Sequence, residues 1–190
     1  MALQSLSANG NRALAVQVDD GRCPGCGVVL PPAPGPHHAY FGASPTCWAL
    51  FKRLSERTVP RAEALRTRRL LRDAYAAQHP GRRQLRAIQS VAVHLMDLCV
   101  VLERGGALIR QEPVLGRPAL RPTLDLHWLE PPRRLGAMTA RDALGPDDGP
   151  DARADRVERW AAGVWDAWAE HHATIRAWLD ASAARHEILR

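Results

Sequence analysis

Apolar residues recur every three or four positions along two long parts of the chain, which is the spacing of one face of an α-helix. In residues 83–104 this face consists of Leu85, Ile88, Val91, Leu95, Leu98 and Leu102. In residues 151–188 it consists of Val157, Trp160, Val164, Trp168, His171, Ile175, Trp178, Ser182 and His186. The pattern predicts a helix in the first part. In the second it predicts one long helix that either crosses the whole domain or breaks near His171 and His172.

Proline and glycine set the boundaries of two further helices. Ser44-Pro45 combines an N-cap residue with Pro at the first helical position, and it predicts a helix that runs to about residue 57. A second helix is predicted over residues 60–79, because Pro80-Gly81 cannot continue it. Together with residues 83–104 it forms a predicted helical hairpin over residues 60–104.

The other segments lack helical periodicity. Residues 105–150 are rich in Pro and Gly, and within them residues 123–129 alternate polar and apolar, which predicts a short strand or an extended arm. Thr139 begins a short capped helix in the same segment. Residues 1–22 are predicted to be a tail. The sequence therefore predicts a mostly α-helical bundle as a single domain over residues 23–190, with an irregular segment at 23–47 and a Pro/Gly-rich connection at 105–150.

Size and charge limit the possible functions. A chain of 190 residues that is 46% hydrophobic can bury one sizeable core. The formal charge of +6 suggests an acidic partner. However, Lys52 is the only lysine among the 26 basic residues, and such arginine-rich composition is typical of a GC-rich genome. Aromatic residues do not interleave with the arginines of residues 61–72, so nucleic-acid binding is disfavoured.

The cysteines are expected to be reduced. Residues 1–22 carry no recognisable secretion signal, and no run of apolar residues approaches the ~18 that a membrane span needs. The sequence therefore predicts a soluble cytoplasmic protein with no membrane partner. In that compartment the four cysteines are more typical of metal ligands or buried residues than of disulfides.

Cys23-Pro24-Gly25-Cys26-Gly27 has the spacing of half a metal site, in which a tight turn aims both sulfurs at one point. Zn²⁺ prefers four such ligands in a tetrahedron. Cys47 is the predicted third ligand, because it lies in the first turn of the helix after Ser44, where the helix dipole stabilises a thiolate. The alternative is that Cys47 is a small buried residue beside Trp48. Cys99 lies among apolar positions and is predicted to be core.

The fourth ligand is harder to identify. His79 is favoured, because it ends the second helix and its side chain is free to leave the helix surface; His38 is the alternative. His94 cannot share a metal with His79, because about 11 residues of hairpin, or ~16 Å, separate them. The prediction is thus a zinc site made of Cys23, Cys26, Cys47 and His79.

Cys-Pro-Gly-Cys is also the spacing of thiol–disulfide oxidoreductases. Their first cysteine lies at the N-terminus of a helix that lowers its pKa. Here Gly27 and then Pro31-Pro32 follow the motif, and such a sequence cannot form that helix. Redox catalysis is therefore disfavoured.

Tyr75, Gln78 and His94 form a candidate pocket that could move protons or orient a ligand beside the metal. In the alternative interpretation Gln78 caps a helix end, Tyr75 packs with its hydroxyl outward, and His94 is a satisfied core histidine. A Cys3His ligand set would close the metal site and make catalysis at the metal less favourable.

Several motifs resemble those of a bacterial, mainly actinomycete, family of small cytoplasmic proteins that is described only as a domain of unknown function. They are Cys23-Pro-Gly-Cys-Gly27, His38-Ala-Tyr-Phe-Gly-Ala-Ser-Pro-Thr-Cys-Trp48, Asp73-Ala-Tyr-Ala-Ala-Gln-His-Pro-Gly81, Val93-His94-Leu95 and Leu102-Glu103-Arg104-Gly105. The resemblance implies that the two-cysteine turn, Cys47, His79 and His94 belong to one motif set. It implies no activity.

Three hypotheses follow, in order of preference. The first is a structural zinc in a protein that binds a small molecule or a protein partner. The second is a metal-dependent enzyme, accessory to a bacterial biosynthetic pathway, that uses Tyr75, Gln78 and His94. The third is nucleic-acid binding through the arginines.

Overall fold

The computed structural model describes residues 21–57, 64–104 and 124–188, with the side chains of the last helix described as far as Ser182. Six α-helices form in these ranges, so the prediction of a mostly α-helical fold is confirmed. They are α1 (Pro45–Arg57), α2 (Ala64–Gln78), α3 (Leu85–Leu102), α4 (Ala140–Leu144), α5 (Pro150–Ala167) and α6 (His172–Ile188). The only β pairing in these ranges is an isolated antiparallel bridge between Arg22 and Val29.

Helix α3 lies at the centre of the bundle. Helices α2, α5 and α6 all pack against it, and α2 also packs along α5. From Ser90 to Val101 every residue of α3 is buried. Cys99 is one of these, as the apolar spacing predicts. The small α4 joins α1 to α5 at one side of the bundle.

The apolar face of residues 151–188 forms the rest of the core. Along α5 the buried members are Val157, Trp160 and Val164, and beyond its end they are Trp168, Ile175, Trp178 and Ser182. The interpretation of the tryptophans as core residues is therefore confirmed. His171 is half-buried, and the side chain of His186 lies outside the described residues.

The long helical pattern breaks at Trp168, as one of the two predicted alternatives has it. A 3-10 turn at Ala169–His171 separates α5 from α6. The carbonyl of Trp165 accepts the Trp168 amide at 2.9 Å and Nε2–H of His172 at 3.0 Å. The ring of His172 also stacks on Trp165, with a centroid distance of 3.8 Å. These hydrogen bonds give the carbonyl of Trp165 its partners where α5 ends.

The predicted strand at residues 123–129 does not form over its described part, residues 124–129, which has no regular secondary structure. Buried Gln78 anchors the end of this connection, because its Nε2 donates to the carbonyls of Leu135 and Met138, both at 2.7 Å. The predicted short helix after Thr139 is α4, and it begins with a capping box between Thr139 and Asp142. The predicted tail up to residue 20, the start of the second helix near residue 60 and residues 105–123 lie outside the described residues.

Helix α3 also bears on the prediction that no segment spans a membrane. With a mean hydropathy of 1.6 over 18 residues, it is long and apolar enough to do so by length and composition alone. However, 61% of it is buried inside the protein, and it carries His94 and Asp97. These properties are consistent with the core helix of a soluble protein.

Candidate metal centre and adjoining cleft

The two-cysteine turn is closed by backbone hydrogen bonds. The amide of Gly27 donates to the carbonyl of Cys23, and the amide of Cys23 donates to the carbonyl of Val28, both at 2.9 Å. Gly27 adopts a φ of 73°, which glycine tolerates without strain. The turn therefore holds the sulfurs of Cys23 and Cys26 on the same side of the backbone, within one donor cluster.

Helix α1 supplies the third sulfur. The Oγ of Ser44 accepts the amide of Cys47 at 3.3 Å, and the Ser44 carbonyl accepts the amide of Trp48 at 2.9 Å. Ser44 thus caps the helix that begins at Pro45, as predicted. Cys47 is fully buried in the first turn.

Helix α2 supplies the nitrogen through His79, the residue after its last turn. Its Nδ1 lies 2.7 Å from the carbonyl of Tyr75. Because a carbonyl only accepts, Nδ1 carries a proton, which leaves Nε2 as the ring nitrogen that can offer a lone pair to a metal. That Nε2 lies 3.4 Å from the sulfur of Cys47. The hydrogen bond to Tyr75 therefore orients the imidazole as in many metal sites.

The four donor atoms lie together as a tetrahedral site requires. The sulfurs of Cys23, Cys26 and Cys47 and a ring nitrogen of His79 all lie within 4.8 Å of one another. The Cys26 and Cys47 sulfurs are 3.8 Å apart. A tetrahedron with metal–sulfur bonds of ~2.3 Å has sulfur–sulfur edges of ~3.8 Å. The four residues could therefore hold one metal ion.

Electrostatics at this cluster favour a bound cation. Hydrogen bonds from the thiols of Cys26 and Cys47 hold the pKa of Cys23 far below its usual range. Interaction with Cys23 and Cys26, together with burial, raises the pKa of Cys47. Burial opposes the protonated form of His79, but hydrogen bonds that this form donates to the sulfurs of Cys23 and Cys26 outweigh it and raise the pKa of His79 to about 9. Without a metal, the Cys23 thiolate is thus accompanied by a protonated His79. A divalent cation would displace that proton and stabilise the thiolates.

Tyr75 lies beneath the cluster and is fully buried. Its hydroxyl donates to the sulfur of Cys47 at 3.7 Å, so the interpretation with an outward hydroxyl is wrong. Burial, and after it the sulfur of Cys47, raises the pKa of Tyr75. The phenol therefore stays protonated and remains a donor to the sulfur.

Three glycines allow the two-cysteine turn to lie directly on His79. A Cβ on Gly25 would lie 2.5 Å from Cδ2 of His79 and 2.7 Å from the carbonyl oxygen of Gly42. A Cβ on Gly42 would lie 3.1 Å from Cα of Gly81. Gly81, whose φ is 73°, lies against the carbonyl of Tyr40. No larger residue fits between the turn and His79.

The other candidate ligands lie elsewhere. His38 is outside the donor cluster, and its Nδ1 accepts the amides of Tyr40 and Phe41 at 3.5 and 3.2 Å. His94 is also outside it, with Nδ1 2.8 Å from Oδ1 of Asp73. Of the two histidines weighed as fourth ligand, the structure therefore places His79 with the three cysteines.

The candidate pocket residues occupy three separate environments. Tyr75 lies under the sulfurs, and His94 pairs with Asp73. Gln78 is fully engaged, because its Oε1 accepts the indole N–H of Trp160 at 3.1 Å while its amide binds Leu135 and Met138. All three side chains are buried. The structure does not bring them together around one opening.

An open cleft of about 1280 Å³ lies beside the cluster instead. Its walls are residues 22–25, 37–45, 80–84 and 131–135, although not every residue of these ranges lines it. Arg82 and Arg133 line these walls, although nothing in the sequence marks them as functional residues. Each follows a Pro-Gly or Pro-Pro pair, which marks a turn but does not reveal that the two turns meet.

Comparison with known protein families identifies the family of this chain. The model of a family of unknown function, DUF5946, matches residues 21–169, a range that includes all four donor residues. No curated protein and no solved structure matches the chain significantly. The matched range covers well over half of the chain, so this protein belongs to the DUF5946 family of unknown function.

Proposed function

We propose that the protein binds one Zn²⁺ through Cys23, Cys26, Cys47 and His79, and that this zinc is structural. The spacing of the four donor atoms, all within 4.8 Å of one another, carries the proposal. Three thiolates and one imidazole are a donor set that zinc prefers over hard cations. A cytoplasmic location accompanies the proposal, because all four cysteines are free.

A structural role is favoured because the protein fills every position of a tetrahedral ion. Catalytic zinc keeps three protein ligands and one open position for water or substrate. Here three of the four residues are buried, and Cys26 is half-buried. The ion would join the two-cysteine turn, the start of α1 and the end of α2. These segments are far apart in sequence, and the metal would fix their relative positions.

A binding role accompanies the structural zinc. The cleft of about 1280 Å³ uses the two-cysteine turn as one wall and the end of α2 as another. Zinc would therefore hold the walls of the cleft in place without contacting what binds there. This arrangement supports a binding protein for a small molecule rather than an enzyme that acts through its metal.

Native mass spectrometry tests the proposal. Wild type is expected to carry one zinc per chain, and a chelator is expected to remove it. His79→Ala should lose zinc, whereas Cys99→Ser should retain it, because Cys99 lies in α3 outside the cluster. A wild-type protein that carries iron or no metal would overturn the proposal. A His79→Ala variant with full zinc content would remove His79 from the site.

A further inference from the structure

The cleft contains arginines that lack carboxylate partners. Arg82, in the turn between α2 and α3, and Arg133, after Pro131-Pro132, line it from different walls and are both exposed. Neither forms a hydrogen bond or an ion pair with any other residue that the structure describes. None of the described lining residues is Asp or Glu. The cleft therefore has an excess of positive charge.

Several arginines elsewhere in the described residues are paired with a carboxylate. Guanidinium groups lie within 2.6–3.0 Å of a carboxylate in Arg66–Glu158, Arg104–Asp180, Arg153–Asp147, Arg156–Asp148 and Arg176–Glu103. Among the described residues Arg82 and Arg133 have no such carboxylate partner, and both line the same concave surface. Guanidinium groups bind carboxylates and phosphates through paired N–H donors.

His38 adds a neutral donor to the same cleft. Its Nδ1 accepts two backbone amides, so the ring proton must lie on Nε2. Its ring is fixed by stacking on Phe41, with a centroid distance of 4.0 Å. Burial also lowers the pKa of His38 and favours this neutral form. The ring therefore presents an N–H donor that does not depend on a positive charge.

We propose that this cleft binds a small molecule carrying a carboxylate or phosphate group, held by Arg82 and Arg133 with His38 as an additional donor. This inference rests on the proposed function, because zinc would hold the two-cysteine turn that forms one wall. Arg22 lines the same wall, and its Nη1 donates to the carbonyl of Gly27 at 3.2 Å. A bound anion would balance the positive charge of the arginines that line the cleft.

The chain offers a matched control for this proposal. Arg83 and Arg134 follow the two cleft arginines directly, are also exposed, and are not among the residues that line the cleft. The double variant Arg82→Gln/Arg133→Gln therefore removes the same charge from the same turns as Arg83→Gln/Arg134→Gln. Only the first pair changes the cleft.

The experiment is an NMR titration of the zinc-loaded full chain with inorganic phosphate and, separately, with succinate. We expect shifts of the amides around residues 37–45 and 80–84. The cleft variant should bind the better anion at least tenfold more weakly than wild type, because each charge-assisted hydrogen bond contributes on the order of a tenfold change in affinity. The control variant should stay within twofold. The ratio of the two affinities distinguishes a phosphate from a carboxylate ligand.

Three results would overturn the proposal. They are no binding of either anion, equal weakening in both variants, and a single-stranded oligonucleotide that binds at least tenfold more tightly than either anion. Zinc content is measured on every sample. A zinc-loaded chain that binds no anion disproves the cleft proposal alone, whereas a chain without zinc disproves the metal proposal whatever the titration gives.

Discussion

The N-terminal region (residues 21–57) and the helical core (α2, α3, α5 and α6) are built in different ways. In the N-terminal region the fully buried apolar residues are only Cys23, Ala43, Cys47 and Leu54, while larger side chains such as Phe41 and Trp48 are partly buried against the core. The helical core buries several tryptophans together with nearly all of α3. A segment with so few fully buried apolar residues gains little stability from its own packing, and small domains of this kind commonly use a metal. This difference is consistent with the proposal that a metal ion holds the N-terminal region in place.

Substitution of a ligand should separate the two regions most strongly. Cys47→Ser is expected to lose zinc and to destabilise the protein by at least ~3 kcal/mol, because the site loses a thiolate in its buried centre. Hydrogen exchange should show lost protection over residues 21–57 and retained protection in α3. Cys99→Ser is the control: it should cost about 1–3 kcal/mol through burial of a hydroxyl and keep its zinc. A uniform loss of protection in Cys47→Ser would contradict the distinction between the regions.

Loss of a core side chain should have the converse effect. Trp160→Ala is expected to cost about 3–5 kcal/mol in urea unfolding, because it leaves a cavity between α5 and α2. It also removes the N–H that Gln78 accepts at 3.1 Å. The folded variant should still carry one zinc. The half-exposed Trp128 provides the control, since Trp128→Ala should cost less than about 1 kcal/mol. If Trp160→Ala releases zinc while the helical core remains folded, the result would contradict the separation between the helical core and the N-terminal region.

A glycine in each region should respond to alanine with opposite sign. Gly25→Ala places a Cβ against His79 and Gly42, and it should weaken zinc binding by about 10–100-fold, as changes next to metal ligands do. Gly163→Ala, in the interior of α5, meets no atom within 4 Å and should stabilise the helix by about 0.5–1 kcal/mol. Competition with a zinc-binding dye and thermal unfolding measure the two effects. Equal zinc affinity in Gly25→Ala would show that the turn does not press on His79.

The smallest effect is expected at the edge of the core. Glu103 lies 2.7 Å from Arg176, and the hydrogen bond from that guanidinium lowers the pKa of Glu103 to about 2. Because the pKa of Glu103 is lower in the folded protein than in the unfolded chain, its ionised carboxylate stabilises the fold. This stabilisation is fully present above the usual pKa of 4.5 and disappears as the pH falls towards 2. Glu103→Gln should therefore cost less than ~1 kcal/mol at pH 7, since the pair is partly exposed, and progressively less below pH 4.5. Urea unfolding of wild type and Glu103→Gln across this pH range provides the measurement. A difference in unfolding free energy that grows as the pH falls would contradict the prediction.

Much of the helical core could be predicted from the sequence, because a helix is a local structure with its own period. The three- and four-residue spacing from Leu85 to Leu102 predicts α3 to within two residues at each end. The same spacing continues through Trp168, so it does not determine the break there. That break depends on the contact of His172 with Trp165 and on the anchoring of His171 to the carbonyl of Glu130 at 2.9 Å.

The donor cluster could be predicted for a different reason. Cysteines at this spacing have few uses in a reduced compartment, and Ser44-Pro45 fixes where Cys47 lies on its helix. The cleft could not be predicted, because the turns that carry Arg82 and Arg133 line the same cleft only through long-range packing. The sequence marks His94 as a candidate pocket residue but does not predict its pairing with Asp73, because the two residues lie on different helices and meet only when α2 packs on α3.

X-ray absorption at the zinc edge of the purified protein tests the central claim most directly. Four protein ligands predict three sulfur neighbours at ~2.3 Å and one nitrogen neighbour at ~2.0–2.1 Å, with no change when small ligands are added. A first shell with an oxygen from water, or with fewer than three sulfurs, would contradict a closed structural site at Cys23, Cys26, Cys47 and His79.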